Sequence, residues 1–329
     1  MCGIFGFYLK RQLIDKDIED GIKCLNTIDY RGPDYTGHWF NKEEGIFIGH
    51  NRLSIIDISE KSNQPFINQE TVLTFNGEIY NYKELKELEL NDIKFETNSD
   101  TEVLSHFLNK YNCKFLNRID GMFAFCFYKN KNLTIANDIF SEKTIYYVKN
   151  NEGIYFSSES GPLINLLNLR LSRNQVIKKQ FMSLGYIIPP NTGFENLYIT
   201  KQANLLNIKK GEIVNNTNYY TFPKLNLYKG KIRSLTNNDE KNIKNAIIES
   251  IESRMQSDVG MGLFLSSGND SSLIASIMKL ELNISPLALT LDHDKGLKHN
   301  ESLEANRIAK FLGIEHIIEK DDTYIENKS

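Results

Sequence analysis

The sequence predicts two α/β domains of different construction. A strand-dominated layered domain covers residues 1–205, closing strands and a polar linker cover 206–235, and the beginning of a parallel-sheet domain covers 236–329. Three observations predict this. Short apolar runs bounded by turn residues crowd the first domain, with few helical stretches between them. From residue 236 strand-like runs alternate with stretches of helical spacing. A chain of 329 residues also has room for two cores.

In chain order, the strand-like runs of the first domain are Gly3–Leu9, Gly45–Gly49, Leu53–Ile58, Thr71–Asn76, Gly121–Tyr128, Leu133–Asp138, Thr144–Val148 and Gly153–Ser157. Turn signals such as Arg31-Gly-Pro-Asp34 and Asn150-Asn-Glu-Gly153 separate them. Helices are expected at Lys16–Leu25 and at Asp100–Tyr111, where Val103, Leu104 and Phe107 share a face. Tyr228–Arg233 reads as the polar part of the linker. In the second domain, Asn238–Met255 is an amphipathic helix with Ile243, Ile247, Ile248 and Ile251 on its apolar side. Met261–Leu265 is a short strand, Ser266–Asp270 a polar loop, Ser271–Leu282 a helix and Leu287–Leu291 a strand. The next helix carries Leu303, Ile308, Ala309 and Leu312, and Gly313 stops it. That order of elements is the start of a parallel sheet.

Composition narrows the partners. With 40% hydrophobic and 25% charged residues the chain is an ordinary globular protein, and a net charge of −3 gives no basic field to recruit nucleic acid or an anionic membrane. No apolar run approaches the ~18 residues of a membrane span. Lys10 and Arg11 follow the first apolar stretch, the wrong order for a secretory signal. Cysteines at 2, 24, 113 and 126 have neither disulfide-framework nor zinc spacing. The expectation is a cytoplasmic protein with reduced thiols and no protein-held metal.

Cys2 has a chemical logic at its position. A side chain that small permits removal of Met1, which leaves the thiol beside a free α-amine. The amine titrates at ~7.7–8, so it can act as the local base for a thiol of pKa ~8.5. A cysteine taken alone is more often a small buried apolar residue. The rest of the domain decides between the two. Met1-Cys-Gly-Ile-Phe-Gly6, Tyr30-Arg-Gly-Pro-Asp34, Gly49-His-Asn-Arg-Leu-Ser-Ile-Ile-Asp57, Asn63-Gln-Pro-Phe66, Phe75-Asn-Gly-Glu-Ile-Tyr-Asn-Tyr82, Ser99-Asp-Thr-Glu-Val-Leu104, Gly121-Met-Phe-Ala-Phe125 and Phe156-Ser-Ser-Glu159 follow one another at characteristic spacing. The sequence in this order resembles the class II, N-terminal-nucleophile glutamine amidotransferases, and among them the glutamine-hydrolysing asparagine synthetases.

The resemblance implies an αββα sandwich for residues 1–205 and assigns roles. Cys2 is the nucleophile, and the Asn76 side chain and Gly77 N–H stabilise the oxyanion. Arg52 grips the α-carboxylate of glutamine, while Glu78 and Asp100 take its ammonium and neighbouring polar atoms. Read alone, Asn-Gly is a hairpin turn and the charges are solvated surface groups. His50 is taken as structural. The chain departs from the family at two places. Where relatives read Arg-Asp-x-x-Gly-x-Lys-Pro-Leu-Tyr-Tyr it has Asn137-Asp-Ile-Phe-Ser-Glu-Lys-Thr-Ile-Tyr-Tyr147, and the later Leu-Pro-Pro-Gly is absent around Lys201-Gln-Ala-Asn204. Both are expected to lie away from the glutaminase residues.

Leu265-Ser-Ser-Gly-Asn-Asp-Ser-Ser272 follows a strand and opens a helix, where free N–H groups and the dipole favour an anion. A capped helix start explains the same residues without a ligand. The resemblance extends to the Ser-Gly-Gly-x-Asp-Ser loop of ATP-pyrophosphatases and implies an ATP site at Leu265, Ser266, Gly268, Asp270 and Ser271, with Mg²⁺ accompanying the nucleotide. Ser267 replaces a glycine there. The expected function is release of ammonia from glutamine for an ATP-adenylated carboxylate such as aspartate. The alternatives are a sugar acid or other metabolite as acceptor, or a truncated non-synthesising glutaminase or regulatory subunit that makes no final product. The synthetase half looks cut short, which anticipates a homodimer or a second chain supplying the remainder.

Overall fold

The computed structural model describes residues 1–223, 234–292 and 301–320. The chain forms two compact units, Met1–Asn226 and Leu227–Ser329. The linker expected at Tyr228–Arg233 lies outside the described residues.

The first unit runs through β1 (Gly3–Leu9), α1 (Asp15–Asn26), β2 (Tyr35–Asn41), β3 (Ile46–Arg52), β4 (Phe66–Asn68) and β5 (Thr71–Ile79). It continues with α2 (Tyr82–Glu89), α3 (Asp100–Tyr111), β6 (Gly121–Lys129), β7 (Asn132–Asn137), β8 (Tyr146–Lys149) and β9 (Gly153–Ser157). α4 (Ser160–Leu167), α5 (Gln175–Leu184), β10 (Leu197–Ile199), β11 (Asn204–Lys209) and β12 (Glu212–Asn218) complete it. The strands form two six-stranded antiparallel sheets, ordered β10-β8-β9-β1-β3-β2 and β12-β11-β7-β6-β5-β4.

Side-chain alternation explains the layering. On β1, Ile4 and Tyr8 pack against Ala124, Cys126 and Ile135 of the other sheet. Phe5, Phe7 and Leu9 point the opposite way, onto Leu25 of α1 and Leu163 of α4. The far face of the second sheet, with Phe75, Phe123 and Phe125, is covered by Val103 and Phe107 of α3. The result is the expected αββα order. A strand buried on both faces reads as an unbroken apolar run, and β1 is buried at every position.

Some elements differ from the sequence reading. Leu53–Ile58 is not a strand but irregular chain. The carbonyls of Ile56, Asp57 and Ser59 accept from the Arg52 guanidinium instead of from a neighbouring strand. Asn76 and Gly77 lie inside β5, paired with Ala124 and Phe123, and form no hairpin turn. The unexpected strands β2, β4 and β10 take edge or near-edge places in the sheets. The helices α2, α4 and α5 were also not foreseen. β11 pairs with β7, so the closing strands beyond residue 205 belong to the first unit.

The second unit contains α6 (Asn237–Ser253), β13 (Gly262–Phe264), α7 (Asn269–Leu280), β14 (Leu287–Asp292), α8 (Ser302–Leu312) and β15 (His316–Lys320). Its three strands are parallel, in the order β13-β14-β15. Thr236 and Asp239 form a capping box at α6, and Gly313 ends α8 in the left-handed region at φ 63°. The core is small: Leu265, Ala275, Ala288, Ala305, Ala309, Leu312 and Ile314. Among the described residues, no helix is long and apolar enough to cross a membrane.

Candidate active site

Cys2 stands immediately before β1, and motifs remote in sequence hold it there. Arg31 Nε donates to the Cys2 carbonyl at 3.0 Å, and its guanidinium pairs with Glu159. The Ile4 N–H donates to Ser158 Oγ at 3.0 Å. The Leu53 N–H points at the Cys2 sulfur at 3.4 Å, and the thiol lies 3.7 Å from the Leu53 carbonyl. Asp34 accepts from the Ser54 N–H at 2.7 Å, which fixes that stretch of chain. Burial pushes the Cys2 thiol up, while the Leu53 contact and the nearby α-amine oppose it. The α-amine, here carried by Met1, is held below its ordinary value by burial and then by Arg31 and Lys143.

Arg52 ends β3 and is 4% exposed. Its guanidinium donates to Ser59 O at 2.9 Å and to Asn63 Oδ1 at 3.0 Å, besides the Ile56 and Asp57 carbonyls. Arg52 therefore organises the loop that passes over it. Gln64, next to Asn63, accepts from the Phe75 N–H at 2.6 Å and pins β5 one residue before Asn76. Gly77 has φ +154°, and a Cβ there would stand 2.0 Å from the Met122 carbonyl. Only glycine lets β5 run this close to β6.

Asp100 opens α3 behind the Ser99 cap and accepts from the Ile79 N–H at 3.0 Å. Burial holds its carboxyl up at about 6. Glu78 is pushed up to about 8, by burial first and by Asp100 second, with Lys143 and the α-amine opposing. Two carboxyls sharing a low-dielectric pocket resist ionising together.

These residues line one cavity of about 500 Å³, its mouth included: Cys2, Arg52, Asn76, Gly77, Glu78 and Asp100, with Gln64 and Lys143 beside them. All six first-domain residues singled out by the sequence come together. His50 does not join them. It is fully buried, its Nε2–H donates to the Phe75 carbonyl at 3.0 Å, and burial pushes its pKa down to about 3, so it is a neutral core group.

Lys143, which keeps the family pattern within segment 137–147, lines this site, while the departing residues Asn137, Ser141 and Thr144 and the segment 201–204 are not among its lining. The Asp138 carboxylate collects the N–H groups of Phe123, Phe140, Glu142 and Lys143 at 2.9–3.1 Å. Two of the departures from the family pattern meet each other: Asn137 Nδ2 donates to Ser141 Oγ at 2.7 Å, and Ser141 takes φ 60° where relatives have glycine. The other departing segment joins them, since Asn204 N–H donates to Asn137 Oδ1 at 3.2 Å and Ala203 N–H to Asp138 O at 2.9 Å. Pairwise distance in sequence hid this. Arg31, Gln64 and Glu159 were likewise visible only as members of matching motifs, without a task.

In the second unit, Gly268 caps α7, so Asp270 and Ser271 stand in the first turn of the helix rather than in the loop and at its start. Ser271 Oγ lies 2.8 Å from Ser266 Oγ and 3.3 Å from the Ser266 carbonyl oxygen, while the Gly268 N–H donates to Ser266 Oγ at 3.1 Å. Ser267 is not in the left-handed region, so replacing the family glycine costs no strain. A hydroxyl-lined loop at a helix N-terminus fits a phosphate. Among the described residues, no group of three His, Cys, Asp or Glu side chains is placed to hold a metal ion.

A thiol, an arginine, two carboxyls and a glycine whose position admits no Cβ share one pocket of an αββα sandwich. The chain belongs to the glutamine amidotransferase domain family, whose model matches residues 1–220. Residues 242–325 match the model described as asparagine synthase, and the two together are the domain pair of the glutamine-hydrolysing asparagine synthetases. Asparagine synthetase [glutamine-hydrolyzing] 1 of Bacillus subtilis is 34% identical over 326 residues, covering 96% of this chain and 50% of that protein. A putative asparagine synthetase of Methanocaldococcus jannaschii is 30% identical, covering 87% and 58%. The amidase chry2 of Gibberella zeae is 27% identical, covering 98% and 51%. Among solved structures, the glutamine phosphoribosylpyrophosphate amidotransferase of B. subtilis superposes with a TM-score of 0.49 at 17% identity, covering 96% of this chain and 65% of that one. The chain spans about half the length of the curated relatives it matches.

Proposed function

We propose that the first unit hydrolyses glutamine with Cys2 as nucleophile, and that the ammonia serves an amidation of the asparagine synthase type. The observation that carries this is the convergence of Cys2, Arg52, Asn76, Gly77 and Asp100 on one cavity. Removal of Met1 transfers the free α-amine to Cys2. The thiol proton passes to that amine, and the sulfur attacks the side-chain carbonyl of glutamine. Asn76 and the Gly77 N–H receive the developing oxyanion, a donor role worth ~3 kcal/mol. The C–N bond then breaks, the amine returns the proton to the leaving nitrogen, and ammonia departs. Water cleaves the thioester to glutamate and restores the thiol. Arg52 and the Glu78–Asp100 pair hold the α-carboxylate and α-ammonium. Cys2→Ala is expected to abolish glutamate release while the folded state persists; hydrolysis retained by that variant overturns the assignment.

The loop from Leu265 to Ser271 is proposed to take the phosphates of Mg-ATP, which when bound activates a carboxylate acceptor by adenylation. Aspartate is the acceptor this reading favours, because relatives of the chain carry the name asparagine synthetase. A relative named amidase at nearly full coverage of this chain favours a second reading, in which another carboxylate accepts the ammonia. Pyrophosphate release from Mg-ATP and glutamine separates the two: it depends on aspartate in the first and not in the second.

A further inference from the structure

β5 carries Asn76 and Gly77, the two groups proposed to receive the oxyanion, on a stretch that β4 does not reach. β4 pairs with β5 only from Thr71 to Leu73. Phe75 stands two residues beyond Leu73, so its N–H and C=O emerge on the side that β4 has left. Side chains take the place of the missing strand. The Phe75 N–H donates to Gln64 Oε1 at 2.6 Å, and the Phe75 carbonyl accepts from His50 Nε2–H at 3.0 Å. A backbone N–H can only donate, which fixes the Gln64 amide with its oxygen toward Phe75 and its nitrogen toward Thr101. Gln64 Nε2 donates to Thr101 Oγ1 at 3.3 Å. Thr101 follows Asp100, whose carboxylate accepts from the Ile79 N–H at 3.0 Å. Burial acts most strongly on the Asp100 carboxyl, and the N–H groups of Ile79 and Thr101 and the Thr101 hydroxyl oppose it. These contacts close a ring. Gln64 holds Phe75, Asp100 holds Ile79, and the bond from Gln64 to Thr101 joins the two holders, with Asn76, Gly77 and Glu78 suspended between them. Asn63, the residue before Gln64, accepts from the Arg52 guanidinium at 3.0 Å and ties the ring to it. Gln64 is 4% exposed and lines the cavity.

Gly77 makes this support necessary. Glycine has the widest choice of backbone conformations, so the direction of the Gly77 N–H is not set by its own preference. The Met122 carbonyl bounds the strand on one side, and Gln64 bounds it on the other. We propose that Gln64 is a positioning residue of the glutaminase site. Standing in for a strand at the edge of β5, it holds the Asn76 amide and the Gly77 N–H in fixed relation to Arg52 and Asp100. The side-chain amide of glutamine then meets its donors when the α-end is anchored. This rests on the glutaminase reading above. Gln64 acts through Phe75 and Thr101. Its effect therefore falls on the tetrahedral state, where the donors work, and little on the anchoring of the α-end.

The test uses Gln64→Met and Gln64→Glu in the full chain with Met1 removed. The probes are the γ-nitrile analogue of glutamine and norvaline, their affinities read by calorimetry. The Cys2 thiol adds to the nitrile: a sulfur–carbon bond forms, one π bond of the nitrile opens, and the thiol proton ends on the nitrogen, which lies where the oxyanion would. Norvaline keeps the α-carboxylate, the α-ammonium and the aliphatic chain but has no amide, so it reads the α-end alone. In Gln64→Met, kcat for glutamine hydrolysis is expected to fall about tenfold to a hundredfold, with KM within about threefold of wild type. Nitrile affinity is expected to fall by the same factor as kcat, and norvaline affinity to stay within about threefold. A mere loss of folded protein does not produce that split. Gln64→Glu keeps an acceptor for the Phe75 N–H and is expected to keep the nitrile's advantage over norvaline. A kcat in Gln64→Met within about twofold of wild type overturns the proposal, as do nitrile and norvaline affinities that fall together. An advantage lost in Gln64→Glu overturns it too, and that variant decides alone where Gln64→Met does not fold. Hydrogen exchange read by mass spectrometry needs no turnover. The amides of Phe75–Ile79 are expected to exchange about tenfold faster in Gln64→Met, with those of β6 unchanged, and equal exchange overturns the proposal. A wild-type protein that neither releases glutamate nor takes up the nitrile defeats the glutaminase reading, while the exchange still reports on Gln64.

Discussion

The two units bury different kinds of side chain, and their sites differ accordingly. In the first unit Phe5, Phe107, Phe123, Phe125 and Phe156 are at most 1% exposed. In the second, the core is built largely from Ala275, Ala288, Ala305 and Ala309, while Phe264 and Phe311 stand 73% and 88% exposed. The pocket of the first unit is assembled by contacts between distant residues, such as Arg31 with Cys2 and Gln64 with Phe75. The loop of the second is held by neighbours, Ser266 with Gly268 and Ser271. A deep core can place charged groups out of water and hold them there. A thin one leaves a phosphate-sized loop open to solvent. The first site depends on the tertiary structure, and the second on the local sequence.

Core truncation is expected to separate the two units most widely. Phe107→Ala removes a fully buried ring shared with Phe75 and Phe125, and is expected to cost ~3–5 kcal/mol in denaturant unfolding. Phe311→Ala, on an exposed ring, is expected to stay within ~0.5 kcal/mol. Equal costs would mean that the exposed faces of the second unit are not exposed in solution. A smaller contrast comes from two glycines. Gly77→Ala drives a Cβ into the Met122 carbonyl at 2.0 Å and is expected to destabilise by roughly 2–3 kcal/mol. Gly268→Ala, whose Cβ meets only Ser266 Oγ at 3.1 Å with φ −72°, is expected to change stability by less than ~1 kcal/mol.

The same contrast governs what the sequence discloses. Gly3–Leu9 and Asp100–Tyr111 are legible to the residue, because burial on both faces or at helical spacing writes a periodic apolar pattern. Leu53–Ile58 is apolar enough for a strand, yet a side chain from the preceding residue takes the carbonyls a partner strand would need. No local pattern carries that information. α4 is concealed by Gly161 and Pro162 in its first turn, where proline is tolerated. The six first-domain site residues come from motif resemblance, which names residues but not their holders. Lys143 belongs to a matching motif, and its place on the wall of the cavity depends on β7, Asp138 and a left-handed Ser141 acting together.

The subtlest difference between the units is in how the first one answers to pH. Glu78 and Asp100 have folded pKa values raised above their ordinary 4.5 and 3.8, to about 8 and about 6. In that range the folded chain keeps protons that the unfolded chain has lost, so stability falls as pH rises. The loss begins as pH passes the ordinary carboxylate values and is complete once Glu78 has ionised near pH 8. Glu78→Gln cannot ionise, so its stability relative to the unsubstituted chain is expected to improve from pH 5 toward pH 8. Ligand works on the same equilibrium in reverse. An α-ammonium arriving between the two carboxyls favours their ionised forms, and glutamine binding is expected to expel a fraction of a proton near pH 7. Titration calorimetry of Cys2→Ala with glutamine, in two buffers of different ionisation enthalpy, reads that proton directly. Release that disappears in Glu78→Gln places the pair at the ammonium end of the pocket. Binding with no proton release in the Cys2→Ala chain would mean that the two carboxyls are already ionised before glutamine arrives.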